Sequence, residues 1–517
     1  MFFYDKYDII IVGGGISGLF LAYKLMNTKL NILLIEKEKE FGGRIHTIYK
    51  IDYHYECAAA RFSDKHNKLI TLINELDLKD DIMELPSEID IIIHNKKVNI
   101  NTGELLKESV IKSKKFKKEY LENILFFQYL IEIYGFEKAD MIRNAYGYDS
   151  EFLKLNADAA IKMFKKDILS DSSKYYTLKN GLSSIIKNIV ELLEYSTNVT
   201  LKNEEGLSEI TDDLIKTDKD FKYNYEKLIL TIPKESLKKI EYLKDIKEID
   251  TVNNVPLLRI YMKYPDGKDK KPWFKNIKRT TTNNYLRQII PIDYKNGLIM
   301  ISYTDGLSCD MLSSLYNTSK DKLVESVHRE IKELFGISPP EPDEVLFHYW
   351  SEGCHFWNTG EDMNKIYDKI LKPMNDKELY ICNESFCKKQ AWIEGSLGMA
   401  YDILKKLHFE NIKIKVKKEK KIKNYKIDDV LKQDKWIILE IDDELRIYDL
   451  SKWIKNHPGG DKIYNGIEAN MYYKNKKEAP ESPIELFMGV GMHSDKNVIK
   501  KFLVKKNKYV KHIGFLI

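Results

Sequence analysis

Only eight of the 84 basic residues in this 517-residue chain are arginine. Nucleic-acid recognition gathers Arg and Lys on one face of a recognisable module, and no such module is present, so nucleic acid is not expected as a partner. Cysteine is thin as well. Cys57, Cys309, Cys354, Cys382 and Cys387 are odd in number and form no CxxC pair. That argues against a disulfide framework and against a zinc site, and it suits a reducing compartment. No stretch of roughly 18 uncharged apolar residues occurs, and no basic segment followed by an apolar run opens the chain, so neither a membrane span nor secretion is expected. The expected location is cytoplasmic. The net charge of +5 is small for such a length and implies no strongly charged partner.

What is present is enough apolar residue, 43%, for packed interiors, and the length implies about two to four domains. From Tyr7 the run "YDIIIVGGG", the helical pattern "ISGLFLAYKLM" and the run "NILLIEKE" read as a β-α-β unit and hence a parallel sheet. Gly13, Gly15 and Gly18 form GxGxxG between the first strand and the helix, with Ser17 in the same turn. Gly13 permits the tight turn, Gly15 lets the backbone approach a pyrophosphate at the positive helix end, and Gly18 lets helix and sheet pack closely. Glu36 ends the next strand, where a carboxylate accepts from a ribose hydroxyl. A dinucleotide is therefore expected.

The continuation "EKEKEFGGRIHT" supplies Gly43 and Arg44, a second cradle and a fixed positive charge for the pyrophosphate. Here the chain resembles the flavin-containing amine oxidase family, in patches from about Tyr7 to Leu407, and the resemblance implies FAD. "YTLKNGLSSIIKNI" resembles the segment leading into the family's second FAD-contacting strand, and "NVTLKNEEGLSEI" places Leu207 where the family's backbone meets the adenine. "LYICNESFCKKQAWIEGSLGMAYDIL" resembles the family's last motif, with Glu384 facing the ribitol and pyrophosphate and with Trp392 and Ile393 opening a helix beneath the isoalloxazine.

The same resemblance implies the substrate side. In "ECAAARFSDKHNKLI", Arg61 stands where amino-acid oxidases carry an arginine for substrate carboxylate, and in "IMISYTDG" Tyr303 matches a tyrosine that bonds the same group. A structural ion pair is the alternative role for Arg61. "YWSEGCHFW" resembles the monoamine-oxidase segment whose cysteine joins the flavin, so Cys354 is either a covalent attachment point or an inert buried thiol. His355 and Trp392 would flank the substrate amine. Where the family usually carries a lysine near flavin N5, the best register of "VPLLRIYMKY" places Arg259, with Lys263 a poorer match. Without that lysine, fast reaction with oxygen is not expected. No residue is singled out as a general base.

Near the other end, "IYDLSKWIKNHPGG" resembles the cytochrome b5 family. Proline and glycines end the helix and let an imidazole project into a haem pocket, so the resemblance implies haem b held by His457 and, from "GMHSD", His493, with Met492 as an alternative sulfur ligand. The stretch between the two histidines is longer than the family's and polar.

The expected architecture is α/β. A Rossmann-type FAD-binding domain (1–68, 176–236 and 376–408) is interleaved with an α+β substrate domain (helical insertion 69–175, then 237–375). A Lys-rich linker (409–424) and a small α+β cytochrome b5-like domain (425–517) follow. The expected activity is oxidation of a small amine or amino acid at its C–N bond, with electrons leaving through the tethered haem to an acceptor the sequence does not name. Two other readings stay open: an oxidase that makes hydrogen peroxide, and a non-catalytic carrier of FAD and haem.

Overall fold

In the computed structural model, residues 5–168, 174–267, 271–412, 423–441, 444–451, 462–475, 481–489 and 511–516 are described. The two apolar runs near the N-terminus form the strands Asp5–Val12 and Ile32–Ile35, joined by the helix Ile16–Leu25. Every residue of Ile32–Ile35 is buried, as a strand covered on both faces must be. These strands lie in one parallel set in the order Val199–Lys202, Ile32–Ile35, Asp5–Val12, Lys222–Leu230, with Leu379–Ile381 paired to the last. The strands Leu207–Ile210 and Leu214–Thr217 extend the sheet in antiparallel sense.

The helix Ile393–Lys406 covers the sheet beside Ile16–Leu25, with Tyr401 against Phe20 at 4.9 Å between ring centroids. Gly18 is what lets the first helix sit so low. A Cβ there would stand 2.1 Å from the Gly13 carbonyl oxygen and 2.9 Å from Thr231 Oγ1.

A second sheet of seven strands runs in the order Glu344–Trp357, Val252–Lys263, Leu298–Asp305, Gln288–Asp293, Thr280–Thr282, Asp90–Ile93, Lys96–Lys97. One face is packed by the helices Gly306–Thr318 and Lys320–Phe335, whose Leu312, Leu323, Val327 and Ile331 meet Leu258, Ile260, Met262 and Ile299. The other face carries Arg259 and Tyr261. A one-residue shift in pairing decides what joins them: Tyr261 opposes Met300, but Ile260 opposes Ser302 and Arg259 opposes Tyr303. Ile301 is left over, and the ring of Tyr303 comes to the Arg259 face.

The segment expected as a helical insertion is helical from 102 onward, in the helices Thr102–Lys112, Lys118–Asn123, Phe126–Tyr134, Phe136–Tyr146, Ser150–Leu153 and Ala157–Ile168. Their interior centres on Phe126, with Phe152 at 5.5 Å and Phe164 at 5.1 Å. Before it, the reading needs correcting. Asn67–Glu75 is a helix, but Ile82–Glu84 is a strand paired with Tyr175–Leu178, and Asp90–Ile93 and Lys96–Lys97 are strands because the β-branched run 91–93 is followed by His94 and Asn95 at positive φ, a two-residue hairpin turn.

The chain divides into two compact units, 1–193 with 198–412, and 413–517 with 194–197. In the second, four strands lie in the order Lys423–Tyr425, Lys511–Leu516, Glu444–Asp449, Trp436–Ile441, around a core of Val430, Ile438 and Ile447. Asn470 stitches this core by accepting from Ile438 N at 2.8 Å and donating to the Trp436 carbonyl at 2.7 Å. Among the described residues no helix is long and apolar enough to cross a membrane.

Gly18→Ala is expected to lower the unfolding free energy by about 1–3 kcal/mol, the usual cost of overpacking, as measured by urea denaturation. An unchanged midpoint would contradict the close packing described for this helix.

Candidate active site

The carboxyl ends of Asp5–Val12, Ile32–Ile35, Lys222–Leu230 and Leu379–Ile381 point the same way, and a ligand binds at that edge of a parallel sheet. Glu36 lies at the end of the second strand, 8% exposed, with Oε2 accepting from Gly14 N at 2.6 Å and Oε1 from Glu38 N at 2.9 Å. Its carbonyl accepts from Glu205 N at 2.8 Å, which brings the turn before Leu207 to the same place. Ser17 is buried in the first helical turn and hydrogen-bonds with Cys382, just past the end of Leu379–Ile381.

The residues present fit FAD. A Cβ on Gly15 would meet nothing within 4 Å, and one on Gly43 would meet only the Gly15 Cα at 3.5 Å, so backbone borders open space beside Arg44. The buried Asn383 Oδ1 and Ser385 Oγ, next along from Cys382, have no hydrogen-bond partner among the described residues. Gly15, Gly43 and Arg44 would hold the pyrophosphate, Glu36 the ribose, and the segment 383–385 the flavin-side hydroxyls.

Glu384 ties this edge together. Its Oε2 meets Arg44 Nη1 at 2.7 Å and His355 Nδ1 at 2.9 Å, and its Oε1 accepts from Ala391 N at 2.7 Å and from His355 N at 3.2 Å. Burial alone would raise this carboxyl, but Arg44 and His355 bring it down to about 2. Burial would likewise lower His355, yet Glu384 and Glu352 outweigh it and the imidazole keeps its proton above the ordinary value. His355 is fully buried, with Nε2 3.5 Å from Glu352. It was expected beside the substrate amine; instead it faces two carboxylates next to Arg44. Cys354 is buried beside it, and burial followed by Glu384 pushes its thiol up, so it stays protonated.

On the open face of the second sheet, Arg259 is 5% exposed, donates to the Glu56 carbonyl at 3.2 Å and lies 4.3 Å from the centroid of Tyr303. Lys263, further along the strand, pairs with Asp343 at 3.6 Å. Arg61 precedes the short strand Phe62–Ser63, which pairs antiparallel with Tyr175–Leu178. Its guanidinium lies 4.7 Å from the Tyr175 centroid and donates to Tyr148 Oη at 3.3 Å. Tyr148 in turn meets Tyr303 edge-on at 5.3 Å, and Trp392, capping the helix that begins at Ile393, stacks on Tyr175 at 6.2 Å. Arg61, Arg259, Tyr303 and Trp392 are thus joined in one cluster through Tyr148 and Tyr175, two residues the sequence reading passed over.

His457 and His493 lie outside the described residues. Among the described residues, no group of three or more His, Cys, Asp or Glu could hold a metal ion.

Two variants test this edge of the sheet. Gly15→Ala should leave stability within about 0.5 kcal/mol of wild type while lowering the FAD content of the purified protein, read by absorbance. Glu384→Gln leaves the partly buried Arg44 without an anion and the buried His355 with Glu352 alone, and should cost about 3–5 kcal/mol in urea unfolding. Because the Glu384 carboxyl falls from its ordinary 4.5 to about 2 on folding, its contribution is complete above 4.5 and fades as pH drops toward 2. The His355 contribution is complete below 6.5 and is lost as pH rises through its raised value. The gap between variant and wild type should therefore narrow on both sides of this window.

Comparison with known proteins agrees with this geometry. The family model described as flavin containing amine oxidoreductase matches residues 16–400. Human amine oxidase [flavin-containing] B is 30% identical over 94 residues, which is 18% of each chain. An uncharacterised protein of Acanthamoeba polyphaga mimivirus is 20% identical over 78% of this chain and 94% of its own. Putrescine oxidase, solved bound to putrescine, superposes with a TM-score of 0.63 at 16% identity, over 78% of this chain and 99% of that one. The family model ends before the main part of the C-terminal unit, 413–517, begins. Since the match runs from the first helix of the GxGxxG turn through the segment that carries Glu384 to the helix beginning at Ile393, the chain belongs to the flavin-containing amine oxidoreductase family, and it is a flavin-dependent enzyme.

Proposed function

We propose that this enzyme oxidises an amine that carries a carboxylate, with Arg61 and Tyr303 anchoring the carboxylate. The observation that carries the reading is Arg61 itself: its guanidinium rests on Tyr175 and Tyr148 with no carboxylate at ion-pair distance among the described residues. A cation held by rings and hydroxyls keeps its charge free for a ligand. When bound, FAD supplies the two-electron acceptor for the hydrogen on the carbon next to nitrogen.

The protein's own share is orientation and exclusion of water. Trp392 and Tyr175 form an aromatic wall beside Arg61, and Arg259 fixes the Tyr303 ring from beneath. Arg259, standing where relatives usually have lysine, favours an acceptor other than oxygen. Five unpaired, buried thiols are in keeping with work in a reducing, cytoplasmic setting. Electron exit by way of the C-terminal unit, with His457 and His493 as iron ligands, is supported by the sequences "IYDLSKWIKNHPGG" and "GMHSD".

Anaerobic mixing with a panel of amino acids and simple amines tests the proposal. Amino acids should bleach the flavin, and Arg61→Gln should raise their KM by about ten- to a hundredfold, the loss expected for one charge-assisted contact, with a much smaller effect on simple amines. Equal bleaching by amines lacking a carboxylate would overturn it. Absorbance before and after dithionite reads the haem separately: only flavin bands would end that part of the reading.

A further inference from the structure

Arg61 is not alone. Arg279, which the sequence reading did not single out, directly precedes the strand Thr280–Thr282 and lies on the sheet face that carries Gln288 and Tyr303, since Thr281 opposes Gln288 and Gln288 opposes Tyr303. Its Nη2 donates to Gln288 Oε1 at 2.9 Å, while its Nε and the Gln288 Nε2 are shielded from water with no partner among the described residues. Burial, then repulsion from Arg61, lowers the guanidinium to about 10 against the opposing pull of Tyr148, Tyr175 and Tyr303. Geometry joins the two: Arg61 donates to Tyr148, Tyr148 meets Tyr303 edge-on, and Tyr303 stands opposite Gln288, the partner of Arg279.

Elsewhere this chain pairs arginines with carboxylates, the partly buried Arg44 with Glu384 and Arg143 and Arg287 with Asp149, while the buried Arg259 rests on the Tyr303 ring and the Glu56 carbonyl. Arg61 and Arg279 have no carboxylate at ion-pair distance among the described residues. The carboxyl that responds to Arg61, that of Glu151, is pushed up to about 8 by burial and by Asp305, so at neutral pH it is mostly protonated and offsets little. Both arginines are only partly buried and remain reachable. Two adjacent cations without counter-charge repel, and a ligand with two anionic groups removes that cost.

We infer that Arg61 and Arg279 together bind the two carboxylates of one ligand, so that the substrate is an amino-dicarboxylate, an acidic amino acid, in preference to a neutral amino acid or a diamine. The oxidation rests on the amine-oxidising reading above; the binding of a dicarboxylate does not. Arg279 is a specificity-determining residue, with the unpartnered Gln288 amide as an additional donor.

The test is calorimetry on the FAD-loaded full-length chain with glutarate, a dicarboxylate with no amine to oxidise, against pentanoate of the same length. Glutarate should bind about tenfold or more tightly, the gain expected for one further guanidinium–carboxylate pair. Arg279→Gln should bring glutarate to the level of pentanoate and leave pentanoate unchanged, whereas Arg329→Gln, at an exposed helical site, should alter neither. Equal affinity for the two acids in the wild type overturns the inference even if the variant fails to fold. Glutarate affinity unchanged in a folded Arg279→Gln, or methyl phosphate binding more tightly than glutarate, also overturns it. Glutarate binding without flavin bleaching by aspartate, glutamate or any amine would instead defeat the amine-oxidising reading and leave the dicarboxylate site standing.

Discussion

The buried carboxylate of Glu384 holds together parts of the chain that are far apart in sequence. Arg44 comes from the loop after the second strand, His355 from the end of the longest strand of the second sheet, and Ala391 from the turn before the helix that starts at Ile393. A charge removed from water must be met by partners of opposite sign and by donors in good geometry. Once Glu384 is buried there, the two sheets of the first unit are fixed to one another at the very edge where the parallel strands end. The cofactor cradle and the substrate face are consequences of that single placement.

The second sheet then does different work on its two sides. Toward the helices Gly306–Thr318 and Lys320–Phe335 it is aliphatic and closely packed, which gives the sheet a rigid backing. Toward the cluster it carries Arg259 over Tyr303, and the separate small sheet of Phe62–Ser63, Tyr175–Leu178 and Ile82–Glu84 brings Arg61 over Tyr175. Rings satisfy a cation without neutralising it, so positive charge is kept in place and not spent on an internal salt bridge.

The parts of this arrangement that are local were legible in the sequence. GxGxxG, the acid at Glu36 and the glycine pair before Arg44 each sit within a few residues of a strand end, and the backbone there needs those residue types. What depends on pairing between distant strands was not legible. Tyr148, Tyr175 and Arg279 join the cluster only because separate strands and a helix terminus bring them to one face, and nothing in their own neighbourhoods marks them. Arginine scarcity was the available signal for Arg279: of the eight arginines only Arg329 stands exposed. His355 was assigned from the resemblance of "YWSEGCHFW" to the monoamine-oxidase segment, but its partner Glu384 lies 29 residues further on, and a buried imidazole turns to the nearest anion. The short strands at 90–97 were hidden in a helical stretch, although the His94-Asn95 turn between β-branched and lysine residues was a usable cue.

The leftover residue in the strand Leu298–Asp305 bears on how relatives should be compared. Ile301 resets the alternation of inward and outward side chains, so that position 303 rather than 302 presents its side chain beside Arg259. Two homologues could keep the same tyrosine yet differ by one residue in this strand, and their clefts would be lined differently: a phenol in one, a hydroxymethyl group in the other. Length at this point, more than composition, decides which chemical group the cleft displays, and a column-by-column alignment that slides a gap past it would pair residues from opposite faces of the sheet.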